Sequence, residues 1–171
     1  MRRVTKKSLS VIIPLSAVML ALTFLGVPDC IVNSNVAFLL LRHFFHVNIF
    51  HLIVNVYALC LLYGRGSGIR KIFTAYIIAV LSDAFLMIPA IGLSDFLYAT
   101  MGLRTPSLKS DWWKSSTTIT FLIVTVAFVF VPNVSAVTHI TSFVGGVALA
   151  SIRRFFNQIV SDYGKAKRGH R

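Results

Sequence analysis

The chain has 171 residues, of which 56% are hydrophobic and only 13% are charged. This balance lies outside the usual range of a soluble globular domain and indicates a membrane protein. The formal net charge of +12 does not indicate nucleic-acid binding, because no basic and aromatic residues interleave on a soluble face.

Six apolar segments follow one another along the chain, and five of them approach the roughly 20 residues that a membrane-spanning helix needs. They cover approximately residues 8–27, 47–63, 69–88, 94–103, 116–131 and 135–156. No repeat, low-complexity segment or soluble domain interrupts them. We therefore expect an all-α, polytopic membrane protein whose single domain, residues 1–171, is a bundle of six transmembrane helices.

The basic residues predict the orientation of this bundle. Apart from Arg42, every Lys and Arg lies in residues 2–7, 65–71, 104–114 or 153–171. These regions alternate with segments of almost no charge, which is the positive-inside pattern. Six crossings then leave both termini in the cytoplasm, as basic tails at about 1–7 and 157–171, and the expected location is the plasma (inner) membrane.

The fourth segment is too short to cross a bilayer. Ser94–Gly102 would form a helix of only about 14 Å, and Pro89 and Gly92 precede it. Irregular backbone at membrane depth is tolerated only where protein buries it or where it lines a water-filled cavity. We therefore expect Ser94 to cap a half-helix that begins near the middle of the membrane, beside a wet cavity.

Two polar side chains in these segments are candidates for catalysis. Ser94 is either a helix N-cap or a nucleophile, and Tyr98 lies one turn later on the same helix face. A hydroxyl becomes a good nucleophile only when a base takes its proton. His139 is the only histidine in the second half of the chain before the tail, although a lone histidine can also serve as an interhelical hydrogen-bonding residue.

The segment that carries His139 also carries small residues. They are Ser142, Gly145, Gly146 and Ala150, and this spacing lets two helix backbones approach closely in lipid. The face that carries His139 is therefore expected to contact a neighbouring helix.

A second polar group lies upstream, where His51 and Asn55 are one helical turn apart and His46 precedes them. Polar residues at this depth usually face the bundle interior or water. They could donate hydrogen bonds to an oxyanion or hold helices together. A metal site of His43, His46 and His51 is disfavoured, because no carboxylate or His-x3-His pair completes a zinc ligand set. No metal or other cofactor is expected.

Two acidic residues lie near the proposed membrane. Asp83 is close to the outer end of the third segment, where we expect water to reach it. Asp95 follows Ser94 in the first turn of the short helix, where the helix dipole favours a carboxylate. Its side chain is expected to leave the axis about 100° from that of Ser94, so it need not enter the site.

Together these residues resemble the rhomboid family of intramembrane serine proteases over about residues 37–152. The resemblance rests on three blocks in the family's order. They are His46-x4-His51-x3-Asn55, then Gly92-Leu93-Ser94-Asp95 with Tyr98, Ala99, Met101 and Gly102, and finally His139-x6-Gly146.

The resemblance implies a Ser-His dyad that cleaves transmembrane segments of single-pass membrane proteins. Ser94 would attack the scissile carbonyl, and His139 would take the proton and later return it. Tyr98 would pack against the His139 ring. His51, Asn55 and the Ser94 backbone amide would stabilise the oxyanion.

His46 and Gly92 would be supporting residues in that site. The chain departs from the family at Asp95, where a glycine usually follows the serine, and at Ser142, where a glycine usually follows the histidine by three. A charge at residue 95 would oppose the negative charge of the oxyanion. Two alternatives are an inactive rhomboid-like protein that binds transmembrane helices, and a small transporter or channel in which the histidines and Asp83 relay protons.

Overall fold

The computed structural model describes residues 6–26, 36–63, 69–86, 91–105, 125 and 135–169. Within these ranges it contains six α-helices and no strand. The helices are α1 (Lys6–Leu25), α2 (Val36–Leu41), α3 (Ile49–Tyr63), α4 (Ile69–Leu86), α5 (Ser94–Arg104) and α6 (Ala136–Gly169), with a 3-10 turn at Arg42–Phe44 after α2. The all-α prediction is confirmed for this part of the chain.

The helix bounds follow the apolar segments closely, with two differences. The short helix α2 was not predicted, since its residues lie between the first two apolar segments. Helix α6 continues past the predicted end at Phe156 to Gly169. The prediction ended where the apolar residues end, but polar residues also form helix. The predicted fifth segment lies outside the described residues except for Thr125, which is helical.

Helix α5 lies in the middle of the packed helices. All of its residues from Ser94 to Gly102 are buried, and it packs against α3, α4 and α6. Helices α5 and α6 cross where two glycines meet. A Cβ on Gly102 would overlap the Phe143 carbonyl oxygen, and a Cβ on Gly146 would overlap the Ala99 carbonyl oxygen. The predicted small-residue contact of α6 is thus present, and it sets the distance between the helices that carry Ser94 and His139.

Beside the buried apolar core, many polar side chains are buried and many large apolar side chains are exposed in the described residues. The buried polar set includes Arg42, His43, His46, Asn55, Asp83, Ser94, Asp95 and His139, and the exposed set includes Phe24, Phe50, Phe73, Phe85 and Phe155. Within the described residues, one helical stretch, Ala136–Tyr163, is both long and apolar enough to cross a membrane, and the apolar stretches Leu9–Leu25 and Ile49–Tyr63 are shorter.

Candidate functional site

Ser94 and His139 form a buried contact between α5 and α6. The Ser94 Oγ lies 2.7 Å from the His139 Nε2, and the two residues are only 6% and 4% exposed. The expectation that Ser94 caps its helix is wrong. Leu93 occupies the N-cap position without a side-chain capping bond, and Ser94 is the first helical residue. Its hydroxyl is therefore directed to the imidazole and not to the helix end.

Tyr98 stacks on the imidazole of His139. The ring centroids are 4.4 Å apart and the planes differ by 7°, as expected because Tyr98 shares a face of α5 with Ser94, which contacts the same imidazole. The Tyr98 hydroxyl donates a hydrogen bond to the Thr125 Oγ1. Sequence reasoning did not single out Thr125, because a threonine in an apolar segment carries no signal of its own. The stacked ring restricts the orientation of the imidazole.

His51 and Asn55 lie beside the backbone just before Ser94. Gly92 has a φ of +116°, and a Cβ there would be 2.6 Å from the His51 Cε1 and 3.5 Å from the Asn55 Nδ2. Only glycine fits both this backbone conformation and this space. The Asn55 amide nitrogen is buried and has no hydrogen-bond partner in the described part of the chain. It is a donor that a ligand at this position could satisfy.

His46 extends this group. Its ring packs edge-on against His51, with the centroids 5.1 Å apart and an interplanar angle of 72°. His46 and the two polar residues of α3 thus form one cluster, and His51 and Asn55 of this cluster lie next to Gly92, two residues from the candidate nucleophile.

Asp95 enters the site, contrary to expectation. Its Oδ1 lies 3.6 Å from the His139 Nε2, and the residue is fully buried. The expectation rested on the direction of the side chain around the helix axis. It did not anticipate that protein encloses the whole first turn of α5, which leaves no solvent face for the carboxylate.

Asp83 is also buried, and the expectation that water reaches it is wrong. The Arg42 Nη2 lies 2.6 Å from the Asp83 Oδ2, and the His43 Nε2 lies 3.4 Å from the same oxygen. A signal for this pair existed in the sequence. Arg42 is the one basic residue outside the basic regions, and an isolated charge within apolar surroundings needs a partner.

The metal-ligand grouping in the structure differs from the three histidines considered above. His43, Asp83 and Asp95 each offer a ligand atom, and these atoms lie within 4.8 Å of one another. Burial lowers the pKa of His43 to about 4, and the charge of Arg42 acts in the same direction. Because the guanidinium already contacts Asp83, we interpret the group as a buried ion-pair network.

The 3-10 turn Arg42–Phe44 connects this ion-pair network to the Ser94–His139 pair. The Arg42 carbonyl oxygen accepts a hydrogen bond from the Gly92 N–H at 3.2 Å, while its side chain holds Asp83. Arg42 thus anchors the backbone turn that leads into Ser94.

Comparisons of the chain with protein-family models, with curated proteins and with solved structures each find no match.

Proposed function

We propose that this chain is an intramembrane serine protease of the rhomboid type, with Ser94 as nucleophile and His139 as general base. The observation that carries the proposal is the 2.7 Å contact between the Ser94 Oγ and the His139 Nε2. These residues are 45 positions apart in the chain, yet they meet in a buried site, where hydroxyl and imidazole are costly to place without a use.

In the proposed reaction, His139 starts neutral and accepts the Ser94 proton on Nε2 as the Oγ attacks the scissile carbonyl. The C–N bond then breaks, and the imidazolium returns the proton to the leaving amine. Water, deprotonated by the same imidazole, then attacks the acyl carbon, the bond from that carbon to the Ser94 Oγ breaks, and the imidazolium returns the proton to the Oγ. Tyr98 keeps the ring in position through both proton transfers, so no carboxylate orienter is required.

The oxyanion would be stabilised by groups that surround Gly92. The Asn55 amide nitrogen has no partner among the described residues, and His51 lies on the same side of the Gly92 backbone. Ser94 is the first residue of α5, and the first N–H groups of a helix have no intrahelical acceptor. Its backbone amide and the positive end of the helix dipole would complete the oxyanion site.

The proposed substrates are transmembrane segments of single-pass membrane proteins, reached from within the bilayer. Buried polar residues and exposed phenylalanines support a lipid environment, because apolar side chains on the outside are stable where the solvent is hydrocarbon. The six-helix bundle in the plasma (inner) membrane, with both termini cytoplasmic, belongs to this proposal and rests on the positive-inside pattern.

A second candidate function is that of an inactive rhomboid-like protein that binds transmembrane helices. The observation that favours it is the Asp95 carboxyl, 3.6 Å from the His139 Nε2. An ionised carboxylate there would stabilise the imidazolium but oppose the developing oxyanion. If the second effect dominates, the site binds a peptide without cleaving it.

The experiment is fluorophosphonate labelling of the detergent-solubilised protein. We expect the wild type to be labelled, and we expect Ser94→Ala and His139→Ala to abolish labelling. Ser82→Ala is the matched control, because Ser82 is as buried as Ser94, at 6%, and should leave labelling unchanged.

The outcomes separate the two candidates. A folded wild type that resists labelling, beside an Asp95→Gly variant that is labelled, would identify Asp95 as the residue that silences the site. If neither protein is labelled, the proposed nucleophile is wrong.

A further inference from the structure

A cavity of about 280 Å³ lies between α4, α5 and α6. The residues that line it include Lys71, Thr74, Leu103, Leu149, Arg153 and Arg154. It is remote from the dyad, since Leu103 is nine residues beyond Ser94 on α5 and Arg153 is 14 residues beyond His139 on α6, which corresponds to about 14 Å and 21 Å of helix.

The cavity is lined by basic side chains and by apolar side chains. Its ionisable side chains, Lys71, Arg153 and Arg154, are all cationic, and Asn157 adds a neutral polar group. Leu103, Leu149 and Ala150 supply an apolar wall. A ligand that satisfies both parts carries a negative group joined to a hydrocarbon chain.

The cavity also lies where such a ligand is abundant. Lys71 is the last residue of the basic region 65–71 and lies in the first turn of α4, and Arg153 lies near the predicted cytoplasmic end of the last segment. This placement rests on the proposed membrane orientation, but it does not depend on the proposed catalytic chemistry. The cytoplasmic leaflet carries anionic phospholipids, which basic pockets between transmembrane helices bind.

We propose that this cavity binds the phosphate-bearing headgroup of an anionic phospholipid. Lys71 and Arg153 contact the phosphate, and an acyl chain lies along Leu103 and Leu149. Because the cavity is bounded by α5 and α6, a bound lipid joins the two helices that carry Ser94 and His139. It therefore stabilises the folded protein by binding the native state alone.

The test is a native mass spectrometry titration of the delipidated, full-length protein with phosphatidylglycerol and with phosphatidylcholine. We expect phosphatidylglycerol to bind more tightly. The double variant Lys71→Gln/Arg153→Gln should weaken its binding about tenfold or more, since each basic residue near an anionic membrane surface contributes appreciably to attraction. Arg70→Gln/Lys165→Gln is the control, because it removes equal charge from exposed residues outside the cavity.

Three results would overturn the proposal. Equal affinity of the wild type for the two lipids would mean that the cavity does not recognise the anionic headgroup. An equal loss in the control variant would show attraction by general surface charge. Full displacement of the lipid by millimolar inorganic phosphate would assign the site to a free anion. The same titration of Ser94→Ala should match the wild type, so lipid binding and proteolysis are tested separately.

Discussion

Gly92 is confined both by its backbone conformation and by its neighbours. An alanine there would hold a φ of +116°, a conformation that costs about 1–3 kcal/mol for a residue with a side chain. It would also place a Cβ 2.6 Å from the His51 Cε1. We expect Gly92→Ala to displace His51 and to reduce fluorophosphonate labelling at least tenfold, as the loss of one oxyanion donor does.

Gly26→Ala is the matched control for that substitution. Gly26 also has a positive φ, of +77°, but nothing lies within 4 Å of a Cβ at that position. Gly26→Ala therefore introduces backbone strain without a clash like the one between residue 92 and His51. Equal labelling of the two variants would mean that His51 and the Gly92 turn do not contribute to the site.

The ring of Tyr98 and its hydroxyl make separate contacts, which two substitutions distinguish. Tyr98→Phe keeps the ring stacked on His139 and loses only the bond to Thr125, so we expect labelling within a few-fold of the wild type. Tyr98→Ala frees the imidazole, and a displacement of about 1 Å can reduce a rate about 10²-fold. Undiminished labelling of Tyr98→Ala would show that this ring does not hold His139.

At the scale of helices, the crossing of α5 and α6 determines whether the dyad forms. A Cβ on Gly102 would overlap the Phe143 carbonyl oxygen and lie 2.9 Å from the Val147 N. Both are backbone atoms of α6, so the helices would have to separate. We expect Gly102→Ala to lower the free energy of unfolding in detergent by about 1–3 kcal/mol and to weaken labelling, because Ser94 and His139 move apart.

Gly145→Ala supplies the comparison for Gly102→Ala. A Cβ on Gly145 would have the Ile78 Cγ2 as its nearest neighbour, at 3.1 Å, and this side-chain atom can shift. Both substitutions gain about the same helix propensity, so the difference between the two unfolding measurements isolates the backbone contact. If Gly145→Ala is as destabilising, the crossing of α5 and α6 is not the sensitive contact.

For the whole molecule, the proposed topology places both termini on the cytoplasmic side. In a chain that carries Cys30→Ala and Cys60→Ala, single cysteines at Thr5 and Ser161 should react with a membrane-impermeant maleimide only after the cells are permeabilised. Both positions are uncharged, so the substitutions leave the basic pattern unchanged. Cys30 lies between the first two apolar segments, which the proposed topology places on the outer side, so it should react in intact cells when it is the only cysteine.

Reaction of either terminal cysteine in intact cells would contradict the topology. It would require an odd number of crossings or the reverse orientation. The buried polar cluster and the exposed apolar surface would then need an explanation other than a six-helix bundle with cytoplasmic ends.

Hydropathy and spacing determined the helices of this protein and the residues of its candidate site. The bounds of α1, α3, α4 and α5 lie within about two residues of the apolar segments. The agreement is close because the burial or lipid exposure of a helix depends on the apolar residues of its own segment. Ser94, Tyr98 and His139 were predicted from polarity and helical spacing, which are also local properties.

Tertiary structure alone decided which distant groups meet. Whether His139 reaches Ser94, and whether Asp95 faces solvent or the imidazole, depends on how closely α5 and α6 cross at Gly102 and Gly146. The pairing of Arg42 with Asp83 joins a turn to a helix 41 residues away. Such contacts depend on the packing of several helices at once, and no single segment of the sequence carries that information.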